Sequence, residues 1–184
     1  MISNGYLAKV VNERVVTEED MGRVGLGTDG DFNQKELSDL CNSPSRNALV
    51  VETWRRLAGP GGSKARPDGT ARKTLVFAVD RAHAEALTKE FEAAGVKGCA
   101  LLHGGTPLQL RRSVLTAFKH GALSVLVNVM ILTEGFDDPM VEAVFMARPT
   151  RSTSLYTQVR RRSGGRPGKS WDGGRAGGWE RDRE

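Results

Sequence analysis

The residues best suited to chemistry cluster in Val125–Met140. There an apolar run, Val125-Leu-Val-Asn-Val-Met-Ile-Leu132, gives way to Thr133-Glu-Gly135-Phe-Asp137-Asp-Pro139. Such a run reads as a buried parallel strand, and ligand sites in open parallel sheets lie beyond the carboxyl ends of the strands. At that place Gly135 lets the backbone approach a phosphate closely, Thr133 offers a hydroxyl and Asp137 an acceptor; the competing reading of Asp137 is a loop cap. Further on, Tyr156-Thr-Gln158-Val-Arg160-Arg161-Arg162 forms a basic stretch of helical character. Taken alone it is a solvated helix. Facing a nucleotide held by another domain, an arginine placed here stabilises charge on the transferred phosphoryl group, an effect worth about 10³–10⁵ in rate.

Other patterns carry less. No segment fits the G-x-x-x-x-G-K-[S/T] phosphate loop; Gly61-Gly-Ser-Lys64 has the wrong spacing and sits in a glycine- and proline-rich stretch. Gly25-Leu-Gly27-Thr-Asp-Gly30 matches G-x-G-x-x-G, but no clear buried strand leads into it, so it reads as a glycine-rich turn before Asp31-Phe32. His83, His103 and His120 stand apart from any cysteine or carboxylate at ligand spacing and read as surface or capping residues, so no metal site is expected. Cys41 and Cys99 make neither a disulfide framework nor a metal knuckle, which fits a reducing, intracellular compartment.

The elements that must hold these residues are punctuated regularly. Strands are expected near 74–79, 98–102, 124–129 and 142–147. Asp80 caps a helix with Ala84, Leu87 and Phe91 on one face and Gly95 at its end. Thr106-Pro107-Leu-Gln109 places an N-cap, a proline and a capping-box glutamine before a helix that buries Leu110, Val114 and Phe118 and stops at Gly121. Ser43-Pro44 opens a helix whose Val50, Trp54 and Leu57 share a face, Ser152–Arg162 forms another, and residues 5–16 alternate weakly as a strand pair. Strand–helix alternation of this kind predicts an α/β fold: an open, mainly parallel sheet with helices on both faces.

The 184 residues carry a net charge of +5. Residues 160–184 hold eight basic and four acidic side chains, so the rest is near neutral and its overall charge does not point to nucleic acid. No apolar run approaches a membrane span, and the N-terminus has no signal or transit character. Residues 163–184 contain seven glycines and no aliphatic residue larger than alanine, and are expected to be disordered. Residues 59–72 read as a loop insertion, and 1–162 as one domain with its core in 73–162.

Together the segments resemble the second, C-terminal RecA-like domain of superfamily 2 helicases, in the branch of the mitochondrial ATP-dependent DNA helicases. Thr74–Leu87 is similar to motif IV, and Val125–Pro139 to motif V. His103-Gly-Gly-Thr-Pro107 with Arg111 is similar to motif IVa, with Leu108 where relatives often have glutamine. Gln158 to Arg162 resembles the start of motif VI. The branch also shares Gly5-Tyr-Leu, Gly30-Asp-Phe32, Leu75-Val-Phe77, His83-Ala, Val127-Asn128 and Ala147-Arg-Pro-Thr-Arg-Ser152, so the resemblance spans roughly residues 2–162.

The resemblance implies a P-loop NTPase-type fold without its own P-loop. It implies that Thr133 and the helix start at Thr106 touch a nucleic-acid backbone, with Arg111 as a further candidate. Gly135 and Asp137 would lie at an interdomain nucleotide cleft. Gln158 and Arg162 would reach the phosphates of ATP, held with magnesium by a first, P-loop-bearing RecA-like domain in cis or in trans. DNA ranks ahead of RNA as partner, no membrane is involved, and the location implied is mitochondrial. That first domain has no counterpart in these residues, so the chain is expected to be inactive toward ATP alone. The motif VI pattern Gln-x-x-Gly-Arg-x-x-Arg is also broken: Arg161 takes the glycine position and Gly165 that of the second arginine, with Arg166 one residue late. Two other readings stay open, a nucleic-acid-binding module that hydrolyses nothing and a remnant without activity.

The tail offers almost nothing to bury, and ordering it would cost backbone entropy. Truncation after Arg162 is therefore expected to leave the melting temperature unchanged, as read by differential scanning fluorimetry.

Overall fold

A computed structural model describes residues 13, 15, 21–27, 30–131 and 141–151. Four short apolar runs form strands β1 (Thr74–Phe77), β2 (Cys99–Leu102), β3 (Val125–Asn128) and β4 (Ala143–Met146). They pair in the order β2-β3-β1-β4, every pair parallel. All four lie within the expected spans, one or two residues shorter because the ends leave the ladder early. The central strands β1 and β3 are buried throughout; β2 and β4, at the edges, are mostly half-buried.

Side chains alternate between two cores, as a period of two requires. Val76, Val125 and Val127 face Val51, Trp54, Leu87 and Phe91. Leu75, Phe77, Leu102 and Leu126 face Phe118, Val114 and Leu115. The first core lies under helices α2 (Pro44–Leu57) and α3 (Arg81–Ala93), the second under α4 (Leu108–Lys119). The sheet is therefore covered on both sides, as the alternation of elements predicts.

The helix boundaries follow local chemistry. Ser43 Oγ accepts from the Arg46 N–H at 3.4 Å, and Pro44 fills the first turn of α2. The Asp80 carboxylate accepts the His83 N–H at 2.8 Å, and Gly95, at φ +82°, follows the end of α3. A further helix, α1 (Gln34–Cys41), was not anticipated from the sequence. Its signal is Asn33, whose Oδ1 accepts from Lys35 and Glu36 at 3.1 and 3.2 Å. Glu36 lies three residues later, as in a capping box, although its carboxylate takes the Gly25 N–H at 2.7 Å instead.

Two expectations for α4 fail. Leu110 is 53% exposed, not buried, because the face toward the sheet runs through Val114, Leu115 and Phe118. Thr106 does not cap the helix. Its hydroxyl accepts the His103 N–H at 3.0 Å, and α4 begins after Pro107 with no side-chain cap.

Residues 59–72 form a built loop. The N–H groups of Ser63 and Lys64 close the Arg56 and Leu57 carbonyls at 2.8 Å each, and Arg72 N–H closes Ala58 at 2.8 Å. The C-terminal carbonyls of α2 thereby find partners. Contact is close enough that a Cβ at Gly62 would lie 2.8 Å from the Arg55 and Leu57 carbonyl oxygens. Of residues 5–16 only 13 and 15 are described; the expected helix Ser152–Arg162 and the tail lie outside the described residues.

Trp54 sits at the amino end of β1. Its indole N–H donates to Thr74 Oγ1 at 3.0 Å and its ring meets Phe91 edge-on at 5.4 Å. Trp54→Phe keeps most of the volume but removes the donor. It is expected to cost about 1–3 kcal/mol in urea denaturation, with unchanged circular dichroism in the folded baseline.

Candidate functional site

The carboxyl ends of four parallel strands release four loops along one edge of the sheet. From β1 the chain runs through Val79 and Asp80 into α3. From β2 it runs through His103–Pro107 into α4. From β3 it leaves through Val129, Met130 and Ile131, and from β4 through Ala147–Arg151. This is where ligand sites form in open α/β sheets.

The β2 exit is tied by its own side chains. Thr106 Oγ1 accepts the His103 N–H at 3.0 Å, and His103 Nδ1 accepts the Gly105 N–H at 3.1 Å. Thr106 is buried, so it holds the loop's shape, while Gly104, Gly105, Pro107 and Leu108 are exposed around it. Arg111 reaches back to the Gly104 carbonyl at 3.4 Å, and its buried Nε has no hydrogen-bond partner among the described residues. With no cap, the first N–H groups of α4 stay open to an anion. Thr106 and Arg111, two of the candidates, thus share one loop and helix start.

The β3 exit is set by Asn128, fully buried, whose Nδ2 donates to the Val76 carbonyl at 3.1 Å across the central pair. Two residues later Met130 adopts φ +53°. A left-handed non-glycine residue costs about 1–3 kcal/mol, and such strain gathers at functional loops. The candidates Thr133, Gly135 and Asp137 lie just beyond, outside the described residues, as do Gln158 and Arg162.

Sequence reasoning missed the β4 exit. Asp31 is buried and accepts from Phe32 N–H at 2.9 Å, Arg151 N–H at 2.8 Å, the Thr150 hydroxyl at 2.8 Å and the Arg148 guanidinium at 3.4 Å. Burial opposes ionisation, but the Arg151 and Phe32 amides, the Thr150 hydroxyl and the Arg148 charge outweigh it and hold the Asp31 carboxyl below its ordinary range. Both partners stand in shared segments, Gly30-Asp-Phe32 and Ala147–Ser152, yet nothing local links positions 117 residues apart. The turn carrying Asp31 is the former G-x-G-x-x-G match. Leu26 bridges Phe32 antiparallel and Gly30 turns at φ +79°, so the turn reading was right.

The described residues do not fit ATP. A phosphate cradle would belong at the turn from β1 into α3, where helix N–H groups face outward. Here the Asp80 carboxylate occupies that position on the His83 N–H, and a second anion would meet its charge. Among the described residues no group of three or more His, Cys, Asp or Glu could hold a metal ion. Each histidine has a local role. His120 Nδ1 lies 2.8 Å from the Thr116 carbonyl. His83, expected at the surface or in a cap, is buried and caps: its Nδ1 accepts the Val79 N–H at 3.3 Å just ahead of α3. Both cysteines are free, and burial, then Glu92, pushes the Cys99 thiol up to about 12, which leaves it unreactive.

A parallel four-stranded sheet sheathed on both sides, its exits gathered on one edge, is the architecture of a RecA-like domain. Residues 68–167, more than half the chain, match the model of the helicase conserved C-terminal domain, and the chain belongs to that family. It is 30% identical over 159 residues to Saccharomyces cerevisiae IRC3, whose name describes an ATP-dependent helicase, covering 86% of this chain and 22% of that one. It is 37% identical over 86 residues to Schizosaccharomyces pombe irc3, named as a mitochondrial ATP-dependent helicase, covering 47% and 14%. The solved C-terminal domain of the DEAD-box protein Dbp5 shares the fold, with a TM-score of 0.50 at 18% identity, over 64% of this chain and 62% of that one. The chain therefore spans about a fifth of the length of the IRC3 protein it matches. Among the described residues no helix is long and apolar enough to cross a membrane.

Burial pushes the His83 imidazole down to about 4, against the pull of the Asp80 carboxylate and with a push from Arg46. The folded state thus binds fewer protons than the unfolded state between about pH 4 and 6.5. Its contribution is complete above the upper value and is lost as pH falls toward the lower, by up to about 3 kcal/mol. His83→Asn keeps an acceptor for Val79 and removes the titration. Urea midpoints at pH 7 and 4.5 are expected to differ markedly less in this variant than in the parent chain.

Proposed function

We propose that this chain is the C-terminal half of an ATP-dependent nucleic-acid helicase or translocase. In this reading it contributes backbone contacts and an arginine finger to an ATP site shared with a P-loop RecA-like domain, in cis or in trans. The observation that carries it is the start of α4. Among the described α-helices only this one lacks a side-chain cap. Its open N–H groups lie beside Arg111 and the exposed, Cβ-free Gly104 and Gly105. Such a set suits a phosphodiester backbone, which is gripped without regard to base sequence. Thr106 shapes this loop, and Thr133 adds a hydroxyl from the neighbouring β3 exit. Gly135 and Asp137 line the nucleotide cleft, and Gln158 and Arg162 face the phosphates. ATP and its magnesium are held by the partner domain. DNA is the substrate the resemblance favours, and the name of the fission-yeast relative supports a mitochondrial location.

A second reading, a binding module without turnover, is favoured by Arg161 and Gly165, which replace the glycine and second arginine of motif VI. One set of measurements separates the two. Labelled DNA and RNA oligonucleotides should bind the full chain weakly and independently of sequence. Affinity should fall about tenfold between about 50 and 200 mM salt, and several-fold in Arg111→Ala. The chain alone should not hydrolyse ATP above a matched blank. Fused to the first RecA-like domain of a relative it should do so, with most turnover lost in Arg162→Ala and some gained in Gly165→Arg. Binding without turnover in the fusion supports the module. Turnover by the unaided chain contradicts both readings.

A further inference from the structure

An exposed leucine stands on the face of α4 that the proposed backbone contact uses. The first amide paired within that helix is that of Arg111, which donates to the Pro107 carbonyl at 2.8 Å. The N–H groups of Leu108, Gln109 and Leu110 therefore stay outside the helical ladder. Leu108 lies three residues before Arg111, so the two side chains share a face. Arg111 reaches the Gly104 carbonyl at 3.4 Å on that side. The approach is open: Pro107 is exposed, and beyond its chain neighbours no atom lies within 4 Å of where a Cβ on Gly104 would be. Leu108 itself is 60% exposed. Side chains of a first turn lean toward the helix N-terminus. An anion resting on the free amides thus has a guanidinium and an apolar side chain beside it.

We propose that Leu108 makes this seat selective for the sugar: it admits the deoxyribose of a DNA strand and disfavours the ribose of RNA. This selectivity rests on the reading above that the start of α4 holds a nucleic-acid backbone. A sugar flanks every backbone phosphate on each side, so a side chain beside a bound phosphate meets a sugar edge. The 2′-hydroxyl is the group that tells RNA from DNA there. Against leucine, a deoxyribose C2′ methylene loses no polar contact. A ribose hydroxyl in the same place gives up water and gains no partner. Such an unpaired group lowers affinity by about tenfold. Charge cannot make the distinction, because both polymers offer the same phosphates to Arg111 and the free amides.

Oligo(dU) and oligo(rU) of equal length differ only in that hydroxyl, and fluorescence anisotropy at low salt reads the affinity of the full chain for each. The parent chain is expected to hold the deoxy strand about tenfold more tightly. In Leu108→Gln, whose amide can pair with a hydroxyl, the ratio should fall to within about twofold, and the ribo strand should be held more tightly than by the parent. Leu110→Gln is the control. Leu110 is 53% exposed but lies two residues on, roughly 200° round the helix, so its substitution should keep the parent ratio. Arg111→Ala should weaken both strands several-fold and keep the ratio. Both leucines are exposed, so their substitution leaves the fold intact, which circular dichroism checks. Equal affinity of the parent chain for the two strands, or tighter binding of the ribo strand, overturns the selectivity. A ratio that Leu108→Gln leaves unchanged, or that Leu110→Gln lowers as far, overturns its assignment to Leu108. In each of these cases the backbone reading stands if Arg111→Ala weakens both strands. A parent chain that binds neither strand overturns the backbone reading and the selectivity together.

Discussion

Everything along the functional edge is placed by the pairing of β1 with β3. Their register, Thr74 with Val125 through Phe77 with Asn128, is enclosed on both faces. A slip by one residue would exchange Val76 and Val127 with the residues that face α4, and both cores would be lost at once. Asn128 adds a directional constraint: its buried Nδ2 donates to the Val76 carbonyl, while its Oδ1 has no hydrogen-bond partner among the described residues. An apolar residue there would pack in several neighbouring registers. The amide favours one, and with it the height at which the β3 exit leaves the sheet.

Two helix starts on that edge are treated in opposite ways by the same physics. The N-terminus of α3 carries its own carboxylate from Asp80, which satisfies an amide and cancels part of the positive end of the helix. The N-terminus of α4 carries none, and an arginine lies beside it instead. An anion is thus excluded from one position and favoured at the other. Of the two, the start of α4 is therefore the more favourable place for an anion.

Much of the fold was legible because its determinants are local. Asp80 and Ser43 announce their helices by type and spacing, and the four strands are short apolar runs bounded by turns. The candidate site was legible less evenly. Thr106 and Arg111 lie in one loop and helix start, but Thr106 proved to be a loop tie, because whether a hydroxyl caps the next helix or bonds back into its own loop depends on backbone angles that composition does not encode. Leu110 failed for a related reason: the start of α4 sets which stripe faces the sheet, and a small rotation turns one leucine outward. Asp31 could not have been found from local pattern. Arg148, Thr150 and Arg151 lie more than a hundred residues away, and Asp31 viewed alone passes for a surface charge.

The long-range contacts also separate two boundaries that are easily confused. The family match begins at residue 68, yet α2, which ends at Leu57, supplies Val51 and Trp54 to the core that Val76, Leu87 and Phe91 share. A polypeptide cut at the family boundary would keep the whole sheet and lose the cover from half of one face. The uncovered valines and phenylalanine would form a contiguous sticky surface beside parallel strands, a combination that drives self-association. The packed unit is therefore larger than the span of the family model. The helix ahead of that match covers this face and keeps it from other chains.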